Sequence, residues 1–76
     1  MNNTRRKSLQ ELIEKTEGLK LEIEELRTEE EEYYNNMPEA FQDGEMGDRA
    51  QTVIEYLDEA MTAAGDVIEN LTSAAE

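Results

Sequence analysis

The sequence predicts an all-α protein: two long helices in an antiparallel, coiled-coil-like hairpin that completes a helical bundle by self-association. Three observations predict it. Apolar residues recur at alternating steps of three and four on both sides of one central break. That break holds the only proline and one glycine, with a second glycine three residues beyond it. The 76 residues include no cysteine, histidine or tryptophan. A chain of this length hides only about 60% of its unfolded surface, and neither disulfides nor a Cys/His zinc site is available to staple it, so association with further copies is the remaining support.

Helix one spans about residues 4–36. Its seam reads Leu9, Leu12, Thr16, Leu19, Ile23, Leu26, Glu30, Tyr33 and Met37. Placing Thr16, Ile23 and Glu30 at heptad position a puts Leu12, Leu19, Leu26 and Tyr33 at d, with Lys20 and Arg27 at e facing Glu22 and Glu29 at g. Asn3, or Ser8 in the capping box Ser8-Leu9-Gln10-Glu11, serves as the N-cap. Glu30 is a carboxylate at a seam position, satisfied by Tyr33, Tyr34, a second copy or solvent where the seam frays; Thr16 reads as a register-setting interruption.

The connection covers residues 37–44. Pro38 forces the preceding residue out of the helical region and starts a short helical turn through Phe41. Asp43 or Asp48 then caps helix two, which runs over about 45–73. There Ala50, Val53, Leu57, Ala60, Ala64, Val67, Leu71 and Ala74 alternate between a and d, and Ile54, Met61 and Ile68 recur at e. So broad an apolar face suits a helix with two neighbours. The expected oligomer seam is therefore Val53, Ile54, Leu57, Met61, Ala64, Val67, Ile68 and Leu71, with helix one alongside through Leu12, Leu19, Ile23, Leu26 and Tyr33.

Seven basic against twenty acidic side chains leave a formal charge of −13, which opposes direct binding to nucleic acid or to an anionic membrane and makes a basic protein surface the natural partner. The same acidity also serves solubility. The charge is unevenly placed. Residues 1–20 carry five bases and three acids, and residues 21–76 carry two bases and seventeen acids. Glu29, Glu31, Glu32, Glu39, Asp43, Glu45 and Asp48 gather at the hairpin turn as a candidate partner-binding tip, able to imitate a phosphate backbone or to act as a solvated face. No run approaches the roughly 18 apolar residues of a membrane span, and Glu11, Glu14 and Glu17 interrupt any secretory h-region after Arg5, Arg6 and Lys7. The expected location is cytoplasmic.

No catalytic or metal-binding residue is assigned, and no cofactor is expected. An EF-hand loop from Asp43 to Ile54 fails at its sixth position, Asp48 instead of glycine, and at its twelfth, Ile54 instead of glutamate. A di-metal bundle needs histidine, and the hydroxyl residues have no imidazole or thiol beside them. Arg5, Arg6 and Lys7 either neutralise Glu69, Glu76 and the C-terminal end of helix two or, in an oligomer, converge on an anionic small ligand such as a nucleotide.

The segment Asn36-Met37-Pro38-Glu39-Ala40-Phe41-Gln42, flanked by acidic heptads, resembles the Asn-Leu-Pro-Glu-Ser-Leu-Gln type of connection in small acidic helical-hairpin proteins of phages and bacterial mobile elements. Met37, Ala40 and Phe41 replace the leucine, serine and leucine of that pattern, and no functional residue carries over. The resemblance implies a phage origin, a location in the host cytoplasm, and action by blocking a host defence protein. The alternatives are an oligomeric structural or adaptor bundle and a nucleotide sponge.

Overall fold

The computed structural model describes residues 2–76, which form helices α1 (Asn3–Asn35), α2 (Glu39–Gln42) and α3 (Glu45–Ala75) with no strand among the described residues. The protein is all-α. Asn2, and neither Asn3 nor Ser8, caps α1: its backbone is extended and its Oδ1 accepts from the Arg5 amide at 2.8 Å. An asparagine one position earlier gains a full extra helical residue, and Ser8 is then left inside the helix. At the other end the Asn36 amide donates to the Glu32 carbonyl and the Met37 amide to the Tyr34 carbonyl, and the Met37 side chain is buried before Pro38.

Pro38 accepts from the Phe41 and Gln42 amides at 2.8 and 3.1 Å, which closes the single turn of α2. The Gln42 side chain then donates back to the Tyr34 carbonyl at 2.9 Å, tying α2 to the end of α1. Gly44 stands at the N-cap of α3 in extended conformation, and neither Asp43 nor Asp48 provides a side-chain cap. Asp43 closes α2 instead, and Asp48 lies in the first turn of α3, where its charge and that of Glu45 complement the helix dipole. Gly47 permits the crossing. A Cβ there would stand 1.9 Å from the Gln42 carbonyl oxygen and 2.5 Å from its carbon.

Helices α1 and α3 pack along one another. Tyr34 meets Gln51, Arg27 meets Asp58, and the Lys20 ammonium lies 3.7 Å from where a Gly65 Cβ would stand. Each of these pairs adds to 85, so the contacts descend α1 as they climb α3.

The face that α1 turns inward differs from the one its leucines predict. The buried and half-buried residues are Leu9, Ile13, Thr16, Lys20, Ile23, Arg27, Glu30, Tyr34 and Met37, the a and e rows. Leu12, Leu19, Leu26 and Tyr33, the d row, remain 46, 52, 56 and 49% exposed. On α3 the same rows turn inward: Ala50, Ile54, Leu57, Met61, Ala64, Ile68 and Leu71 are buried or half-buried, and only Val53 and Val67 of the expected oligomer seam stay exposed. The reason lies in side-chain volume. The e row of α3 carries Ile54, Met61 and Ile68, whereas its d row carries Val53, Ala60 and Val67, so α3 buries more apolar surface by facing a and e toward its neighbour. With one partner helix available, α1 must present the matching rows.

Lys20 and Arg27 consequently lie against α3 and not against Glu22 and Glu29. Arg27 bridges Asp58 through Nε and Glu31 through its other arm. Thr16 is accommodated by donating its hydroxyl to the Leu12 carbonyl at 2.8 Å.

Candidate functional site

The molecule is a rod of 59 × 14 × 11 Å, and two of its surface features have the size and chemistry of interaction sites. Among the described residues no group of carboxylates is arranged to hold a metal ion, and no helix is long and apolar enough to cross a membrane. The surface depressions are grooves along the helices. One, lined by Glu24, Glu25, Glu29, Glu32, Leu21 and Thr28, lies on the outer face of α1 and is too acidic to shelter an anion.

The first feature is the acidic turn. Glu29, Glu31 and Glu32 come from the last turns of α1, Glu39 from α2, Asp43 from its cap, and Glu45 and Asp48 from the first turn of α3; all are exposed. Only Glu31 of these seven makes an ion pair among the described residues. Glu30, expected to lie in the seam, is half-buried and lines a groove with Arg49, Ala50, Tyr33, Met46 and Val53. The Tyr34 hydroxyl accepts from the Gln51 side chain at 3.0 Å.

The Lys20–Gly65 contact divides the rod into halves, and the charge follows that division. The half with the turn, residues 21–64, holds two bases and fourteen acids, a net −12; the half with the termini holds five bases and six acids, a net −1. On α3 the dipole favours Glu45 and Asp48, but on α1 helix stability does not explain this placement. Arg5, Arg6 and Lys7 sit at the positive end of the α1 dipole and Glu29–Glu32 at its negative end, with no acid in the first turn and no base in the last. Each such misplaced exposed charge costs about 0.3–1 kcal/mol at low salt. Arg27 is the one cation of the acidic half engaged from both sides: the hydrogen bonds it donates to the Asp58 carboxylate, and next to Glu31, hold its guanidinium above its ordinary pKa. Arg5, Arg6 and Lys7 are exposed and make no ion pair among the described residues, with Glu69 or Glu76 or otherwise.

The second feature escaped the sequence reading. In the opposed arrangement of the helices, the d rows of α1 and α3 flank the contact on the same side, as the shared groove of Tyr33, Met46 and Val53 records. Leu12, Leu19, Leu26 and Tyr33 thus form one exposed apolar face with Met46, Val53 and Val67. At the turn it continues into a groove lined by Tyr33, Met37, Pro38, Phe41 and Met46. The other side of the rod carries Glu17, Glu24, Glu31 and Asp58. Comparing the sizes of the d and e residues of α3 would have revealed this face.

Comparison with models of protein families, with curated proteins and with solved structures gives no match, so the site is interpreted from its own chemistry.

Proposed function

We propose that the chain is a non-enzymatic interaction protein, an antiparallel helical hairpin whose acidic turn occupies a basic nucleic-acid-binding surface on another protein, in the manner of a phage-type inhibitor of a host defence protein. The observation that carries this reading is the segregation of charge, −12 on the half with the turn against −1 on the other, maintained against the preference of the α1 dipole. Six of the seven exposed tip carboxylates lack an ion-pair partner among the described residues, so their field is available to a basic surface. A rod of this charge density attracts a DNA-binding groove by the long-range, salt-screened force that DNA itself exerts.

The test is affinity capture from a bacterial lysate with two baits, the natural chain and a variant with Glu29, Glu31, Glu32 and Glu45 changed to lysine, each at low and high salt. The proposal expects a nucleic-acid-binding protein on the natural bait alone, released by salt, and displaced in a purified assay by duplex DNA. Retention of the same protein by the charge-reversed bait would sink it.

A second reading, an oligomeric structural or adaptor bundle, is favoured by the exposed leucine row. It predicts that replacements at Leu19 and Leu26 abolish function and that the tip charges are dispensable.

A further inference from the structure

We infer that the exposed leucine face is covered by a second copy of the chain lying in the opposite direction, so that the turn of each hairpin rests against the termini of the other in a four-helix bundle. The inference rests on the hairpin reading above but not on the identity of any acidic-tip partner.

Surface area argues for an occupant. At 8.7 kDa a compact monomer exposes about 4,700 Å², whereas this chain exposes 5816 Å². The excess of roughly 1,100 Å² is comparable to the ~800 Å² that each partner buries in a standard protein interface. The face has the pattern of a helix-packing surface: Leu12, Leu19, Leu26 and Tyr33 recur every seven residues, and Met46, Val53, Ala60 and Val67 recur in step beside them. Such a row packs on another of its own kind, which is the requirement of a two-fold interface.

Charge selects the direction. Two copies side by side with turns together would set −12 against −12; reversed, each −12 half faces a −1 half that bears Arg5, Arg6, Lys7 and Lys15. Rotation about the middle of the leucine row, between Leu19 and Leu26, brings residue k level with residue 45 − k of the second copy. Leu12 then shares a layer with Tyr33, and Lys15 comes level with Glu30. Arg6, lying nearer the N-terminus than the residue level with Asn35, reaches past the end of the second copy's α1 toward its acidic turn. The cations that oppose the α1 dipole within one chain thereby gain carboxylates from the other, and the outward carboxylates of each tip remain available.

The absence of cysteine allows single-site spin labels. Gln10 and Asn35 are exposed, uncharged and outside the leucine row. With Gln10→Cys labelled in every copy, the inference expects an intermolecular distance of about 40 Å, from twenty-five residues of helical rise. An equal mixture of Gln10→Cys and Asn35→Cys chains should add a population under about 25 Å, since those positions share a level and neighbouring helix axes lie about 8–10 Å apart. Both labelled chains keep the natural packing residues, so the outcome does not depend on whether a face variant folds. A short Gln10–Gln10 distance would overturn the orientation, and the lack of any intermolecular distance at tens of micromolar would overturn the second copy as occupant. Capture of an unrelated amphipathic helix by a monomeric chain would do the same.

Discussion

Replacing Gly47 with alanine probes the crossing of α2 over α3, the junction that fixes which rows of the two long helices face each other. The new Cβ would stand 1.9 Å from the Gln42 carbonyl oxygen, 2.5 Å from its carbon and 2.7 Å from its Cα, and ordinary contact would require the backbone to retreat by more than an ångström. The obstruction is main chain in a closed helical turn held by Pro38 and by the Gln42–Tyr34 hydrogen bond. No side-chain rotation relieves it. Overpacking of this kind costs about 1–3 kcal/mol, and the rigid neighbour places Gly47 near the upper value; a gain of up to about 1 kcal/mol from alanine's helix propensity opposes it. The net loss of roughly 2 kcal/mol corresponds to a fall in Tm of about 8–16 °C for a chain of this size. Two internal controls carry the same chemical change without the collision. Gly18 has nothing within 4 Å and Gly65 meets only the flexible end of Lys20 at 3.7 Å, so alanine at either should raise Tm, by up to about 4–8 °C. The assay is thermal unfolding followed by circular dichroism at one fixed protein concentration. If Gly47→Ala melts at or above the natural chain, the packing of α2 on α3 is not as described.

Further predictions follow from the same packing. Asn2→Ala removes the α1 cap and should cost about 1 kcal/mol, read as a lower Tm with faster amide exchange confined to the first turn. The adjacent residues Leu12 and Ile13 should separate cleanly: Ile13 is 6% exposed, so Ile13→Ala should cost about 2–4 kcal/mol at every protein concentration, whereas Leu12→Ala should act on the concentration dependence of Tm. Arg27→Gln should lower Tm slightly at low salt and not at 1 M salt. Asp58 and Glu31 raise the folded pKa of Arg27, so its contribution is fully present below the unfolded value and is lost only as pH rises through the higher folded one. The difference in Tm between Arg27→Gln and the natural chain should therefore stay constant between pH 6 and 10.

The helical class was legible because the three-and-four spacing of apolar residues belongs to a helix whatever its azimuth, and the turn chemistry of Pro38 and Gly44 is local. The azimuth was not legible on α1 alone, where the leucine row is the most apolar and would be expected inside. It is decided by α3, whose isoleucines at 54 and 68 and methionine at 61 outweigh the valines and alanine of its d row, and by a glycine that lets one backbone pass against another. Position along the chain gives no sign of that close approach. The acidic tip could be read from the sequence as a cluster. Its segregation into one half of the rod needed the register of α1 against α3, and with it came the mismatch between the Arg5–Lys7 charges and their own helix dipole.

The most direct test of the account is the mass of the particle in solution, measured by sedimentation equilibrium for the natural chain and for Leu19→Asp/Leu26→Asp, two residues that are more than half exposed in the single chain. The account predicts twice 8.7 kDa for the natural chain and 8.7 kDa for the variant, with the variant's helices weakened and not abolished. A natural chain that stays single at tens of micromolar, or a variant that still pairs, would contradict it.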